Sequence, residues 1–151
     1  MNWNVIETQE DIDKLMNDYG YFHDGCIKEL KYISGGYVDE NLSMSPINSL
    51  RNLSIIFHRQ YKNPSAIEMI FEGIQKMNLE PSDGSHDCII YEASLKKING
   101  FYYWADWDNF KITDLDEIKR TWISASKIKW RVADGYMGKE EVYIARDLQR
   151  D

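Results

Sequence analysis

The chain has only two cysteines, no long apolar run and no surplus of positive charge. Each shortage excludes something. Two thiols, Cys26 and Cys88, are too few for the disulfide framework of a small secreted domain, so a reducing, cytoplasmic setting is expected. No stretch approaches the ~20 apolar residues that a transmembrane helix needs, so no membrane span is expected. The opening MNWNVIETQEDIDKL lacks a basic region followed by an apolar one, which argues against a signal peptide. It also lacks the Met-Gly start of N-myristoylation, and the ending RDLQRD is no prenylation box. Lysine and arginine together number 18 against 25 aspartates and glutamates, a formal net charge of −7. Phosphate backbones are bound through basic surfaces, so nucleic acid is not an expected partner, whereas a basic protein is compatible with the balance. There is no nucleophile elbow, no HExxH pair and no glycine-rich phosphate loop. No enzyme activity, cofactor or metal is therefore expected.

What is present fits one domain over 1–151, large enough to bury a core without a metal or disulfide. Ile12, Leu15, Met16 and Tyr19 recur at the spacing of one helical face and predict a helix over Thr8–Tyr19. Thr8 with Asp11 three residues on forms a weakened capping box, and Gly20 is placed to end the helix. Trp3 and Val5, just upstream, are expected in the same core. Beyond the helix the dominant period is two. Strands are predicted at Cys26–Ile33, Leu53–His58, Ile67–Glu72, Cys88–Leu95, Phe101–Ala105, Trp122–Val132 and Val142–Ala145, with a short one near Leu42–Met44 that Pro46 limits. The third is expected to run on past a bulge at Gly73. In Trp122–Val132, the residues Trp122, Ser124, Ser126, Ile128, Trp130 and Val132 are expected on one face. Asn99-Gly100 is a type I′ hairpin signature, and Asp106–Arg120 is irregular, with a helical turn from Asp114. Short turns imply antiparallel pairing. The expected class is α+β: an N-terminal helix packed on a mainly antiparallel sheet, as a sandwich or half-barrel.

Two stretches concentrate unusual chemistry. In Tyr19–Leu30, YGYFHDGCIKEL, the residues Phe22, His23 and Asp24 read as a structural hinge. Asp24 before Gly25 fits an Asx-turn, and His23 beside two aromatics fits a half-buried ring bonded to backbone. Adjacent residues of an extended chain point to opposite faces, so His23 and Asp24 are not expected to bond each other. The competing reading is a small-ligand pocket or acid–base centre on His23 and Asp24. His23, Cys26, His86 and Cys88 also supply the residue types of a tetrahedral zinc site, but H-x-x-C and H-x-C are not its usual spacings. The second stretch is Phe101–Phe110, FYYWADWDNF. From Asp106, acids at Asp106, Asp108, Asp114 and Glu117 mimic part of a calcium loop, yet Phe110 and Lys111 stand where a ligand and a glycine are required. Aromatic residues tipped with acids suit a protein-binding surface, with Tyr102, Trp104, Asp106, Trp107 and Asp108 as the expected contacts. The opposing reading puts Phe101, Tyr103 and Ala105 in the core and the acids in water.

Phe22-His23-Asp24, the strand after Cys26, Phe71-Glu72-Gly73 and the apolar stretch Ile89–Leu95 together resemble the immunity proteins of polymorphic toxin systems, small bacterial proteins with a Phe-His-Asp element. The resemblance spans the first two-thirds of the chain. It implies a cytoplasmic, non-catalytic protein that binds and blocks a toxin domain, and a basic toxin would suit the acidic balance. Three functions are thus in view: an immunity-type binding module, a ligand-binding domain or enzyme centred on His23 and Asp24, and a structural domain whose sheet edges pair into a homo-oligomer.

Overall fold

The computed structural model describes residues 2–140. Among these residues nine strands, β1 (Asn4–Ile6), β2 (Gly25–Ile33), β3 (Tyr37–Val38), β4 (Met44–Ser45), β5 (Asn52–Arg59), β6 (Ala66–Asn78), β7 (Ser94–Ile98), β8 (Phe101–Ala105) and β9 (Trp122–Val132), accompany one α-helix, α1 (Gln9–Asp18). Seven strands make one antiparallel sheet in the order β2-β5-β6-β9-β8-β7, with β1 paired to the far half of β9. The class is α+β, as expected. The sheet is open and does not close into a barrel. The only other sheet among the described residues is the β3–β4 ribbon, so the expected second layer of a sandwich is not formed there. No helix of the described residues is long and apolar enough to cross a membrane.

Helix α1 follows from its own sequence. The Thr8 hydroxyl accepts from the Asp11 N–H at 3.2 Å, and the Asp11 carboxylate accepts from the Thr8 N–H at 2.9 Å, a reciprocal capping box. The Glu7 N–H donates to the same carboxylate, and these bonds hold Asp11 below the usual carboxylate range. Gly20 leaves the helix with φ of +58°, which glycine adopts without strain. Ile12, Leu15, Met16 and Tyr19 are buried in the main core, in one cluster with Leu53, Ile55, Phe57 and Met69. An amphipathic helix this short is held by such packing rather than by propensity.

The centre of the sheet is the long pairing of β6 with β9, and its alternation reverses partway along. Phe71 and Ile128 face the core on one side of Gly73; Ile74, Ala125 and Ile123 face it on the other. Gly73 sits at φ +65°, and a Cβ there would lie 3.0 Å from Ser126 Oγ. A left-handed residue resets which side chains point inward. The single face expected for Trp122–Val132 is therefore corrected: Trp122 packs on the opposite side with Ala105 and Phe110, and Val132 is exposed.

Three other expectations are corrected. The strand expected at Cys88–Leu95 begins only at Ser94. The backbone groups before it are taken by the hinge, through Asp24 N–H to Ile90 O at 2.9 Å, Ile90 N–H to Gly25 O at 2.7 Å and Ala93 N–H to Tyr21 O at 2.9 Å. Val5 is exposed, because β1 alternates on β9 so that Ile6 points inward instead. Trp3 covers the opposite side of the sheet, its ring 4.5 Å from the Arg131 guanidinium and 5.0 Å from the Lys129 ammonium. The strand expected at Val142–Ala145 lies outside the described residues.

Candidate functional site

Phe22 is the structural pivot of the hinge. Tyr21, Phe22 and Asp24 all carry left-handed φ values, 56°, 62° and 57°, a costly conformation for side chains of this size. What holds the strained turn is packing. The Phe22 ring is fully buried and meets Tyr19, Phe57 and Trp104 edge-on at 5.0, 4.9 and 5.7 Å between centroids. Gly25 is needed next, since a Cβ there would come within 2.9 Å of the Phe22 carbonyl oxygen.

The two polar hinge residues stand differently from expectation. The His23 side chain is 59% exposed rather than half-buried, although its Nδ1 does bond backbone, 2.6 Å from the Tyr91 carbonyl. Its Nε2 lies 3.5 Å from the Asp24 carboxylate, so the two side chains do meet. The left-handed turn at Asp24 removes the extended geometry that would have separated them. Neither residue lines the cavity formed by the neighbouring loop.

The hairpin expected to dock a partner is mostly internal. Tyr102 and Trp104 are buried and have no surface for a partner, which corrects their assignment as contact residues. The reason is position: β8 lies between β7 and β9, with the main core on one face and Phe110, Trp122 and Tyr103 packed on the other. The Tyr102 hydroxyl donates to the Ile6 carbonyl at 2.9 Å. Trp107 is half-buried, and its carbonyl accepts from the Ser94 hydroxyl at 2.8 Å. Asp108 is exposed at the end of the hairpin.

Asp106 faces a different environment. With Ile27, Pro81, Cys88, Tyr91 and Arg120 it lines a cavity of about 580 Å³ between the 79–91 loop and the 119–121 segment. Its Oδ1 is buried without a hydrogen-bond partner among the described residues, and burial pushes its carboxyl above the usual range. A carboxyl that holds its proton more tightly when folded favours folding as pH falls through its raised pKa, and costs stability once fully ionised above it. Asp106→Asn is accordingly expected to raise the melting temperature at about pH 7 and to lose that advantage near pH 4. Thermal unfolding followed by circular dichroism at the two pH values decides this; an advantage of equal size at both would remove charge as its cause. His86 is engaged elsewhere on the rim, its Nδ1 2.8 Å from the Asp83 carboxylate. Hydrogen bonds from Ser85 and His86 hold that carboxyl at about 2. The described residues contain no group of three or more His, Cys, Asp or Glu side chains placed to hold a metal.

The feature that residue-by-residue reading passed over is the β3–β4 ribbon. Tyr37, Leu42, Met44 and Ile47 stand between 62% and 84% exposed, and Tyr32 and Ile33 continue the apolar surface onto the end of β2. The segment is built, not loose. The Asp39 carboxylate accepts from the N–H groups of Asn41 and Ser43 at 2.9 and 3.0 Å. Ser34 O accepts from the N–H groups of Leu50 and Arg51 at 3.1 and 3.0 Å, fixing the base. The signal in the sequence was a string of large apolar residues in a stretch with no predicted partner strand.

On the seven-stranded sheet, the face away from α1 carries a buried ion pair. Glu68 Oε1 takes Arg131 Nε at 2.7 Å and a second guanidinium nitrogen at 2.6 Å, while Oε2 accepts from the Ser54 hydroxyl at 2.7 Å. Glu68 is only 7% exposed. Lys31, Asn52, Ile70 and Tyr136 complete a shallow cavity of about 240 Å³ around it. Compared with protein-family models, curated proteins and solved structures, the chain matches none.

Proposed function

We propose that the chain is a non-catalytic protein-binding module of the immunity type, acting in the cytoplasm, whose β3–β4 ribbon and adjoining end of β2 dock a basic protein partner. One observation carries this reading: large apolar side chains held out into water on a backbone fixed by its own hydrogen bonds. Exposed apolar patches of this kind mark interaction sites, because covering them gains about 25 cal/mol per Å². Charge supports the choice of partner. Asp39 and Glu40 sit at the ribbon turn, and the net charge of −7 steers a basic surface towards the chain. The Phe-His-Asp element supports the immunity type. The ligand or enzyme reading centred on His23 and Asp24 draws little support, as both lie on open surface.

The test is complex formation with the product of the adjacent gene in the genome, by size-exclusion chromatography with light scattering at micromolar concentration. The double variant Leu42→Asp, Ile47→Asp is expected to weaken the complex at least ~100-fold, since charges in a desolvated contact centre cost several kcal/mol. Its melting temperature should stay that of the parent, because both side chains are exposed. A parental chain that forms no complex, or a variant that still does, ends the proposal. A parental dimer that the variant converts to monomer would instead assign the ribbon to self-association.

A further inference from the structure

We infer that Cys26 and Cys88 are a thiol pair that closes into a reversible disulfide, stapling the 79–93 segment to the start of β2. Cys26 is the second residue of β2 and half-buried, whereas Cys88 is exposed on the rim of the 580 Å³ cavity. The segments they belong to are brought together by an isolated antiparallel bridge between Gly25 and Ile90. Its two hydrogen bonds, Ile90 N–H to Gly25 O at 2.7 Å and Asp24 N–H to Ile90 O at 2.9 Å, fall within two residues of each cysteine. The antiparallel bridge sets Cys26 opposite Ile89 and Cys88 opposite Ile27, so the two cysteines are diagonal neighbours, and the Cys88 thiol helps to hold the Cys26 thiol in its neutral form. A disulfide requires Cα atoms roughly 4.4–6.8 Å apart, and directly opposite residues of bridged antiparallel segments stand roughly 4.5–5.5 Å apart, so closure of this diagonal pair asks only a small shift of the loop. The 90–93 stretch meets the hinge through three backbone hydrogen bonds, Asp24 to Ile90, Ile90 to Gly25 and Ala93 to Tyr21, and closure adds a covalent tie beside them.

The chemistry needs an outside oxidant, and a low-molecular-weight disulfide supplies it. The two thiols differ in access. Cys26 is held as the neutral thiol, pushed up by burial and by Cys88, so the exposed Cys88 meets the oxidant first. Its thiolate attacks one sulfur of the small disulfide, forming a mixed disulfide on Cys88 and releasing one small thiol. Cys26, on losing its proton, attacks Cys88 Sγ and expels the second small thiol. Two protein thiols and one small disulfide thus become one protein disulfide and two small thiols, with electrons and protons balanced. In a reducing compartment the pair rests open, and an oxidising shift locks the loop to β2.

The experiment incubates the full chain with excess oxidised glutathione, alkylates remaining thiols and weighs the intact protein and its proteolytic peptides. The expected product is about 2 mass units lighter than the reduced chain, with no alkylation and one peptide joining Cys26 to Cys88. Cys26→Ser should stop at glutathione bound on Cys88, and Cys88→Ser should react far more slowly. The oxidised parent should melt several degrees higher than the reduced one. Glutathione retained on Cys88 of the parent while Cys26 alkylates, or both thiols alkylating freely, would overturn the inference. Because Cys88 is exposed, its serine variant folds like the parent, and the comparison stands even if substitution at Cys26 disturbs β2.

Discussion

Phe22→Ala is expected to cost about 3–5 kcal/mol, the largest loss from any single truncation at the hinge. The ring is fully buried and touches the helix exit through Tyr19, β5 through Phe57 and β8 through Trp104. Removing it leaves a cavity where three elements meet. It also removes the packing that pays for the left-handed backbone at Tyr21, Phe22 and Asp24. A domain of this size is stable by roughly 5–15 kcal/mol, so the variant sits near the edge of folding at physiological temperature. Urea denaturation measures the loss, with Phe22→Leu, which refills most of the space, as the milder control. A cost under ~1 kcal/mol would show that the hinge does not organise the fold.

The second large effect is at the buried ion pair. Glu68→Ala is expected to destabilise by about 3–5 kcal/mol, because it takes the paired carboxylate away from a guanidinium with little access to water. The loss should far exceed that of the double variant Glu68→Met, Arg131→Met, which removes both charges and keeps the volume. An apolar replacement of a buried pair is often neutral, since the pair's mutual attraction barely repays its desolvation. A double-mutant cycle by chemical denaturation reads the difference directly. If Glu68→Ala and the double variant cost the same, the charges contribute nothing beyond the space they fill. Ser54, whose hydroxyl satisfies the second carboxylate oxygen, completes the arrangement from β5.

These two sites show where sequence reasoning reached and where it stopped. Phe22 was visible as part of a dense aromatic turn, but Glu68 was only the polar member of an alternating strand. Its partner Arg131 lies on β9, and nothing local joins β6 to β9. The same holds for Cys26 and Cys88, whose proximity depends on a single bridge between distant segments. Tyr102 and Trp104 were legible as aromatics at strand spacing. Whether they face water or core depended on β8 having neighbours on both sides and covered faces.

By itself the sequence determined the features whose causes are local. The helix, with its Thr8–Asp11 cap and glycine exit, follows from side chains within one or two turns. The β7–β8 hairpin follows from Asn99 and Gly100, which both take the left-handed φ that its turn needs. The tertiary structure alone decided which strand is central, where Gly73 reverses the alternation, and which apolar residues find a cover and which, on the β3–β4 ribbon, do not. The physical reason is that burial belongs to pairs of distant segments. A side chain's chemistry says what it prefers, but only the pairing of strands far apart in the chain sets what lies against it.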